Sequence, residues 1–238
     1  MKPLYKRVLL KLSGELLGSS EGLFSEAKIK SYCKELVNLN KNGIELAIVL
    51  GGGNIFRGRE LNSLYVDRAD SDSVGMLSTY MNALILKSYL SAYGAPSVIL
   101  TSSYIQGVGE VYSKDKAIEY LKGKSIVILA GGTSLPYFST DTASAVKAID
   151  IKAEILLKAT KTDGVYEKDP VKFENVKKFD IISYRKILDK QLKVMDLTAV
   201  TLCMEYKVKI VVFDATIPEN ISQAIFTNNI GTLISTED

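Results

Sequence analysis

The chain has 238 residues, 47% hydrophobic and 24% charged, with a formal net charge of +3. That composition supports a full globular core. It excludes a membrane helix, because no run reaches about 18 uninterrupted apolar residues, and it is too weakly basic to argue for nucleic acid. Histidine is absent, which excludes Ser-His-Asp and Cys-His catalysis and histidine metal sites. Chemistry must come from Lys, Arg, Asp, hydroxyls, backbone N–H groups or a bound metal ion. Cys33 and Cys203 stand far apart in apparently helical segments, and two such residues make neither a disulfide framework nor a zinc site. The first residues are basic, with no apolar stretch or cleavage signal after them, so a cytoplasmic protein is expected.

Arg7–Leu12 reads as the first strand. Lys11 is the odd member, a cation near the carboxyl end where ligands bind in α/β folds, and Ser13-Gly14 adds a hydroxyl and a bare backbone position. A loop at 18–22 precedes a helix from Ser25 to about Asn40, stopped by Gly43. Leu46–Leu50 then forms a buried strand that enters Gly51-Gly52-Gly53, with Arg57 close behind. Three glycines let backbone N–H groups converge on an anion, and arginine carries a planar fork suited to phosphate. The plainer alternative is a tight turn beside a surface arginine.

A helix with Asp70 and Asp72 in its first turn runs to about Tyr93. Both acids suit the helix dipole, and Asp72 could instead bond a sugar hydroxyl. Ser97–Leu100 is a short strand, Ser113–Lys122 a helix, and Ile126–Ala130 a strand that again ends in glycines, Gly131-Gly132. The loop after it, Thr133-Ser134-Leu135-Pro136-Tyr137-Phe138-Ser139, offers hydroxyls and aromatic faces. The helix it leads into opens at Thr140 or Asp141, and its N-terminus suits a nucleotide. Asp141 either caps this helix or orients a lysine or a metal ion.

Glu154–Thr160 is a further strand, followed by the turn signals Asp163-Gly164 and Asp169-Pro170 and an extended arm or hairpin to about Asp180. Tyr166 is either a stacking face for a base or a packed loop anchor. Helices near 183–190 and 196–206, a strand at Lys209–Phe213, a helix at Pro218–Phe226 and a strand at Gly231–Ile234 complete the chain. Strands alternating with helices predict an α/β fold, a mostly parallel sheet with helices on both faces. The clusters at 11–14, 51–58 and 131–141 then lie at carboxyl strand ends and can converge. No Walker motif and no complete G-x-G-x-x-G is present.

Six stretches in this order carry a resemblance. They are Lys11-Leu12-Ser13-Gly14-Glu15, Gly51-Gly52-Gly53-Asn54-Ile55-Phe56-Arg57-Gly58, Gly75-Met76-Leu77 with Met81-Asn82, Pro136-Tyr137-Phe138-Ser139-Thr140-Asp141, Lys158 to Tyr166 with Asp169-Pro170, and Lys193-Val194-Met195-Asp196-Leu197. Over nearly the whole chain this resembles the amino acid kinase family, in its bacterial branch that phosphorylates UMP.

The resemblance implies a single three-layer α/β/α domain, with an acceptor half at about 1–150 and a donor half at about 151–238. It implies transfer of the γ-phosphoryl of ATP to UMP, with Mg²⁺, in a homohexamer activated by GTP and inhibited by UTP. By motif match, Lys11, Leu12, Ser13, Gly14, Gly53 and Arg57 lie at the ATP phosphates, and Thr160, Tyr166 and Asp169 hold the adenosine. Gly52, Asp72 and the loop of Thr133, Ser134, Leu135, Pro136, Tyr137, Phe138, Ser139 and Thr140 hold UMP. Lys11, Arg57 and Asp141 carry the chemistry. The regulatory segment matches Ser19, Ser20, Glu21, Gly22, Leu23 and Phe24.

Two departures stand out. The family has Gly-Asn before the proline of the acceptor loop where this chain has Ser134-Leu135, and Glu-Gly-Phe-Gly where it has Glu21-Gly22-Leu23-Phe24. Two other functions compete: a kinase of this fold acting on a carboxylate, carbamate or isopentenyl phosphate, and a non-catalytic nucleotide-binding assembly.

Overall fold

A computed structural model describes residues 2–56, 66–170, 172–173, 175–227 and 229–236. In chain order the elements are β1 (Arg7–Leu12), a 3₁₀ turn (Gly14–Leu16), α1 (Glu26–Lys41), β2 (Glu45–Leu50), α2 (Arg68–Ala92), β3 (Ser97–Thr101), β4 (Glu110–Val111), α3 (Lys114–Lys122), β5 (Ile126–Ala130) and α4 (Thr140–Asp150). There follow β6 (Ile155–Thr160), β7 (Val165–Tyr166), β8 (Lys178–Phe179), β9 (Ile181–Ser183), α5 (Tyr184–Asp189), α6 (Leu197–Glu205), β10 (Ile210–Asp214), α7 (Asn220–Phe226) and β11 (Thr232–Ser235).

Nine strands form one sheet in the order β4-β3-β5-β2-β1-β6-β10-β11-β9, while β7 and β8 pair as a separate antiparallel hairpin. Strands β4 through β10 of that order run parallel, and β11 pairs antiparallel with β10, with β9 parallel to β11. The central strands are apolar along their length because helices cover both faces. Alternation divides them cleanly. Val8, Leu10 and Leu12 join the core under α1, α2 and α7. Leu9 faces the other core, under α3 to α6.

Lys11 follows Leu9 by two residues, and Lys158 follows Leu156 by two. Both lysines therefore project from the α4–α6 face. The register makes Lys11 and Lys158 direct neighbours across β1 and β6.

The expected strands and helices all appear, with ends displaced by a residue or two. Strands β4 and β9 have two and three residues, too short to show a periodicity. Helix α1 does begin after Ser25, but that side chain makes no capping bond. Cys33 and Cys203 are buried core residues whose thiols burial pushes up to about 12. Among the described residues, no helix is long and apolar enough to cross a membrane.

Candidate active site

Three strand ends meet at one edge of the sheet. The first is the Lys11–Gly14 end of β1. A Cβ on Gly14 would lie 2.5 Å from the Gly51 carbonyl oxygen and from Asn54 Oδ1, and 2.9 Å from Gly53 N. Glycine is required at position 14 because the turn after β2 packs directly against it. That turn is held from α2. The fully buried Asn82 donates through Nδ2 to the Gly51 carbonyl (2.7 Å) and to Asn54 Oδ1 (2.8 Å), and Asn54 Nδ2 returns a bond to Asn82 Oδ1 (3.0 Å). Gly53 is different: a Cβ there would meet only the Glu15 side chain, Cγ at 3.6 Å and Oε1 at 3.9 Å, both ordinary contacts. Neither packing nor a left-handed φ demands glycine at this position.

The third strand end follows β5. Gly131 has φ +88° and Gly132 +58°, and Ser134 (+60°) and Tyr137 (+71°) are left-handed too. Each non-glycine residue there costs about 1–3 kcal/mol unless its surroundings hold it. Ser134, where the resemblance implies glycine, holds its left-handed φ with its Oγ 2.6 Å from Ser103 Oγ. Tyr137 N–H donates to Asp72 Oδ2 at 2.8 Å.

Asp72 also pairs with Arg68 (3.1 Å). This carboxylate, expected to meet a sugar hydroxyl, thus already grips the loop after β5 while lining a cavity of about 170 Å³ with Gly52, Gly53, Phe138, Ser139 and Thr140. Five expected acceptor residues line that cavity; Thr133, Ser134, Leu135, Pro136 and Tyr137 do not. Ser71, Gly75, Met76, Gly132 and Phe56 line it without having been expected.

Asp141, at the start of α4, lies between the ends of β1 and β6. Its Oδ1 is 2.9 Å from Lys11 Nζ and its Oδ2 is 2.5 Å from Lys158 Nζ, and all three side chains are largely buried. Burial alone would raise the Asp141 carboxyl, but the charges of Lys11 and Lys158 outweigh it and hold the group below the usual carboxylate range. Lys158 is lowered by burial first and by Lys11 besides, against the pull of Asp141. It also donates to the Val194 carbonyl.

Asp141 does not cap α4. Ser139 does, accepting from the Asp141 and Thr142 N–H groups. The Ser139 hydroxyl in turn donates to Asp196 Oδ2 (2.5 Å), and Thr142 Oγ1 donates to Asp196 Oδ1 (2.7 Å). Asp196 also caps α6 through the Ala199 N–H. One carboxylate thus joins the N-termini of α4 and α6, which explains the Lys193–Leu197 stretch. Its signal in the sequence is an aspartate directly before a helical run.

On the other side of β6, Thr160 Oγ1 accepts from the Thr162 N–H (3.0 Å) at the strand end. Tyr166, in the β7–β8 hairpin, donates to Asp163 Oδ1 (2.6 Å), and that bond, with Lys178, holds the Asp163 carboxyl low. Asp169 is exposed on the turn beyond. Ser19, Ser20, Gly22 and Leu23 line a second cavity of about 510 Å³ with Gly53, Asn54, Lys28 and Lys161, the last paired with Glu15 at 2.7 Å. Glu21 N–H bonds Ser19 Oγ, and Phe24 packs on the core. Arg57 lies outside the described residues.

A parallel α/β sheet whose carboxyl edge carries two glycine turns and a buried lysine–aspartate–lysine set defines a phosphotransferase. The chain belongs to the amino acid kinase family, whose model matches residues 6–214. It is 43% identical over 231 residues to a uridylate kinase of Parabacteroides distasonis, covering 97% of this chain and 98% of that one. The UMP kinase from Bacillus anthracis superposes with a TM-score of 0.95 at 32% identity, over 98% of this chain and 97% of that one. The UMP kinase from Ureaplasma parvum gives 0.90 at 29% identity, over 97% and 99%.

Proposed function

We propose that the protein transfers the γ-phosphoryl of ATP to UMP, giving UDP and ADP. The observation that carries this is the buried Lys11–Asp141–Lys158 set on β1, α4 and β6, at the sheet edge that also carries the two glycine turns, in a chain whose relatives are named for this acceptor. A phosphate oxygen of UMP attacks the γ-phosphorus as the bond to the bridging oxygen of ADP breaks. The acceptor is already an anion, so no strong base is needed, and the protein's task is positioning and charge neutralisation. Lys11 meets the transferring group, with Asp141 fixing its ammonium. Ser13, Gly14 and Gly53 supply backbone N–H groups, and Arg57 a further cation. Thr160, Tyr166 and Asp169 bind the adenosine. Gly52, Asp72 and the loop from Thr133 to Thr140 bind UMP. Residues 151–238, the donor half, hold the adenosine, while residues 1–150, the acceptor half, hold UMP and also reach the ATP phosphates through Lys11, Ser13, Gly14, Gly53 and Arg57.

Mg²⁺ fits this site as a companion of the ATP phosphates. Among the described residues no three His, Cys, Asp or Glu gather to hold a metal by themselves, and Asp141 is the carboxylate at hand. When bound, the ion neutralises charge on the β- and γ-phosphate oxygens. The outer face of α2, with Val74, Leu77, Met81 and Leu84 exposed, supports assembly into a homohexamer. The cavity at Ser19–Leu23 supports effector binding by GTP, with UTP as the inhibitor, and the substrates point to the cytoplasm.

Release of ADP from ATP and Mg²⁺ with UMP, CMP, dUMP, AMP or GMP tests the proposal. UMP is expected to be the preferred acceptor. Equal use of CMP or AMP would overturn it.

A further inference from the structure

The loop after β5 holds four left-handed residues within seven positions, 131, 132, 134 and 137. Such a segment keeps its shape only where its neighbours determine it. The neighbours here are hydroxyls that no substrate-binding role explains. Thr79, inside α2 and 1% exposed, donates its hydroxyl proton to the Met76 carbonyl at 2.7 Å. That leaves a lone pair aimed outward, which accepts the Gly131 N–H at 2.8 Å. Tyr80 packs so closely on Gly131 that a Cβ there would lie 2.1 Å from its hydroxyl. From the end of β3, Ser102 Oγ donates to the Gly132 carbonyl (2.7 Å) and Ser103 Oγ bonds Ser134 Oγ. Gly132 and Met76 in turn line the cavity beside Asp72.

We propose that Thr79 is a positioning residue for the acceptor nucleotide. Its hydroxyl, seconded by Ser103 at the far end, fixes the left-handed turn Gly131–Ser134 and so sets affinity for UMP without touching it. The inference rests on UMP being the acceptor. It places the effect on one substrate only, because the Lys11–Asp141–Lys158 set stands on β1, α4 and β6 and receives no bond from Thr79. Serine can reproduce both bonds of Thr79. Valine keeps the shape and leaves the buried Gly131 N–H unpaired.

Steady-state kinetics and equilibrium binding of UMP without ATP, on wild type, Thr79→Val, Thr79→Ser and Ser103→Ala, provide the test. Thr79→Val should raise both Kd and KM for UMP at least about fivefold, with kcat and KM for ATP within about twofold. Thr79→Ser should restore wild-type values, and Ser103→Ala should raise KM for UMP about two- to threefold. A folded Thr79→Val protein with unchanged UMP affinity overturns the inference. So does one in which kcat and the KM for ATP deteriorate equally. Should Thr79→Val not fold, Ser103→Ala, at an exposed position, decides: an unchanged KM for UMP overturns the inference. Wild type that binds no UMP overturns the acceptor itself, and the two failures are thereby distinguished.

Discussion

The turns after β2 and β5 look alike in sequence, an apolar strand running into consecutive glycines, and they stand on adjacent strands. Their physical causes differ. At the first, Gly51, Gly52 and Gly53 lie outside the left-handed region, and the crowding falls on the backbone, with Gly14 pressed against Gly51 and Gly53. At the second, Gly131 and Gly132 are left-handed, and the conformation itself demands glycine. The first is fastened by amides, Asn82 and Asn54; the second by hydroxyls, Thr79, Ser102 and Ser103. Both are gripped by α2, through Thr79 and Asn82, three residues apart on the buried side of the helix. A double-glycine strand end therefore identifies a place where backbone must come close to something. It does not say whether that something is another backbone, a φ value or a ligand.

The largest expected effect separates these cases within the first turn. Gly14→Ala must push apart two backbone segments, and overpacking of this kind costs about 3 kcal/mol. For a chain of this size that lowers Tm by roughly 6–12 °C. Gly53→Ala meets only ordinary contact, so its Tm should stay near wild type while ATP affinity and turnover fall. Thermal melts with an ATP titration check both. Equal Tm losses would mean that Gly53 is glycine for packing.

Asp141→Asn comes next, because it strikes the carboxylate that the loop after β5 and α4 bring between Lys11 and Lys158. Asparagine keeps the size of the side chain, and the cap of α4 belongs to Ser139, so the helix should survive. Lys11 and Lys158 would lose their shared counter-charge. Turnover should fall at least about tenfold, roughly 1.4 kcal/mol of transition-state stabilisation, with the circular dichroism spectrum retained. Unchanged turnover would leave the two cations to act without it.

Much of this was legible in the sequence, for physical reasons. The parallel strands are uninterrupted apolar runs, so they and the residues at their ends could be read directly, and Lys11 was conspicuous as a cation among apolar neighbours. The meeting of Lys11 with Lys158 needed the order of strands, because a register between β1 and β6, some 150 residues apart, leaves no local pattern. Asn82 was hidden for a different reason. In a mostly apolar helix it reads as a surface position, and only its full burial shows that it is the anchor of a turn. Its signal, with Thr79, was a pair of polar residues three apart among apolar ones. Ser134 shows the reverse. A serine for glycine looks like a loss, yet the left-handed turn persists with a hydroxyl partner supplied by Ser103.

The smallest expected effect lies at the other end of α4, and it sharpens the contrast between ways of accommodating a cation. Lys11 and Lys158 face a carboxylate. Lys147 instead stands 3.2 Å above the ring of Tyr112, whose hydroxyl donates to Asp150 Oδ2 at 2.9 Å. Burial brings the Lys147 ammonium down to about 8, against the opposing charge of Asp150. In the unfolded chain it titrates near the ordinary lysine value of 10.5. Below about pH 8 both states carry the proton, and the folded state bears the whole cost of burying it. Between about 8 and 10.5 the unfolded state binds more protons, so stability rises with pH. Above that range both are neutral and the cost is gone. Lys147→Met removes the titration while filling similar space. Urea denaturation of both proteins at pH 7 and pH 10 should show wild type gaining on the variant as pH rises, because titrations common to both cancel in the difference. Parallel pH dependences would show that the ring holds the lysine charged as well as water does.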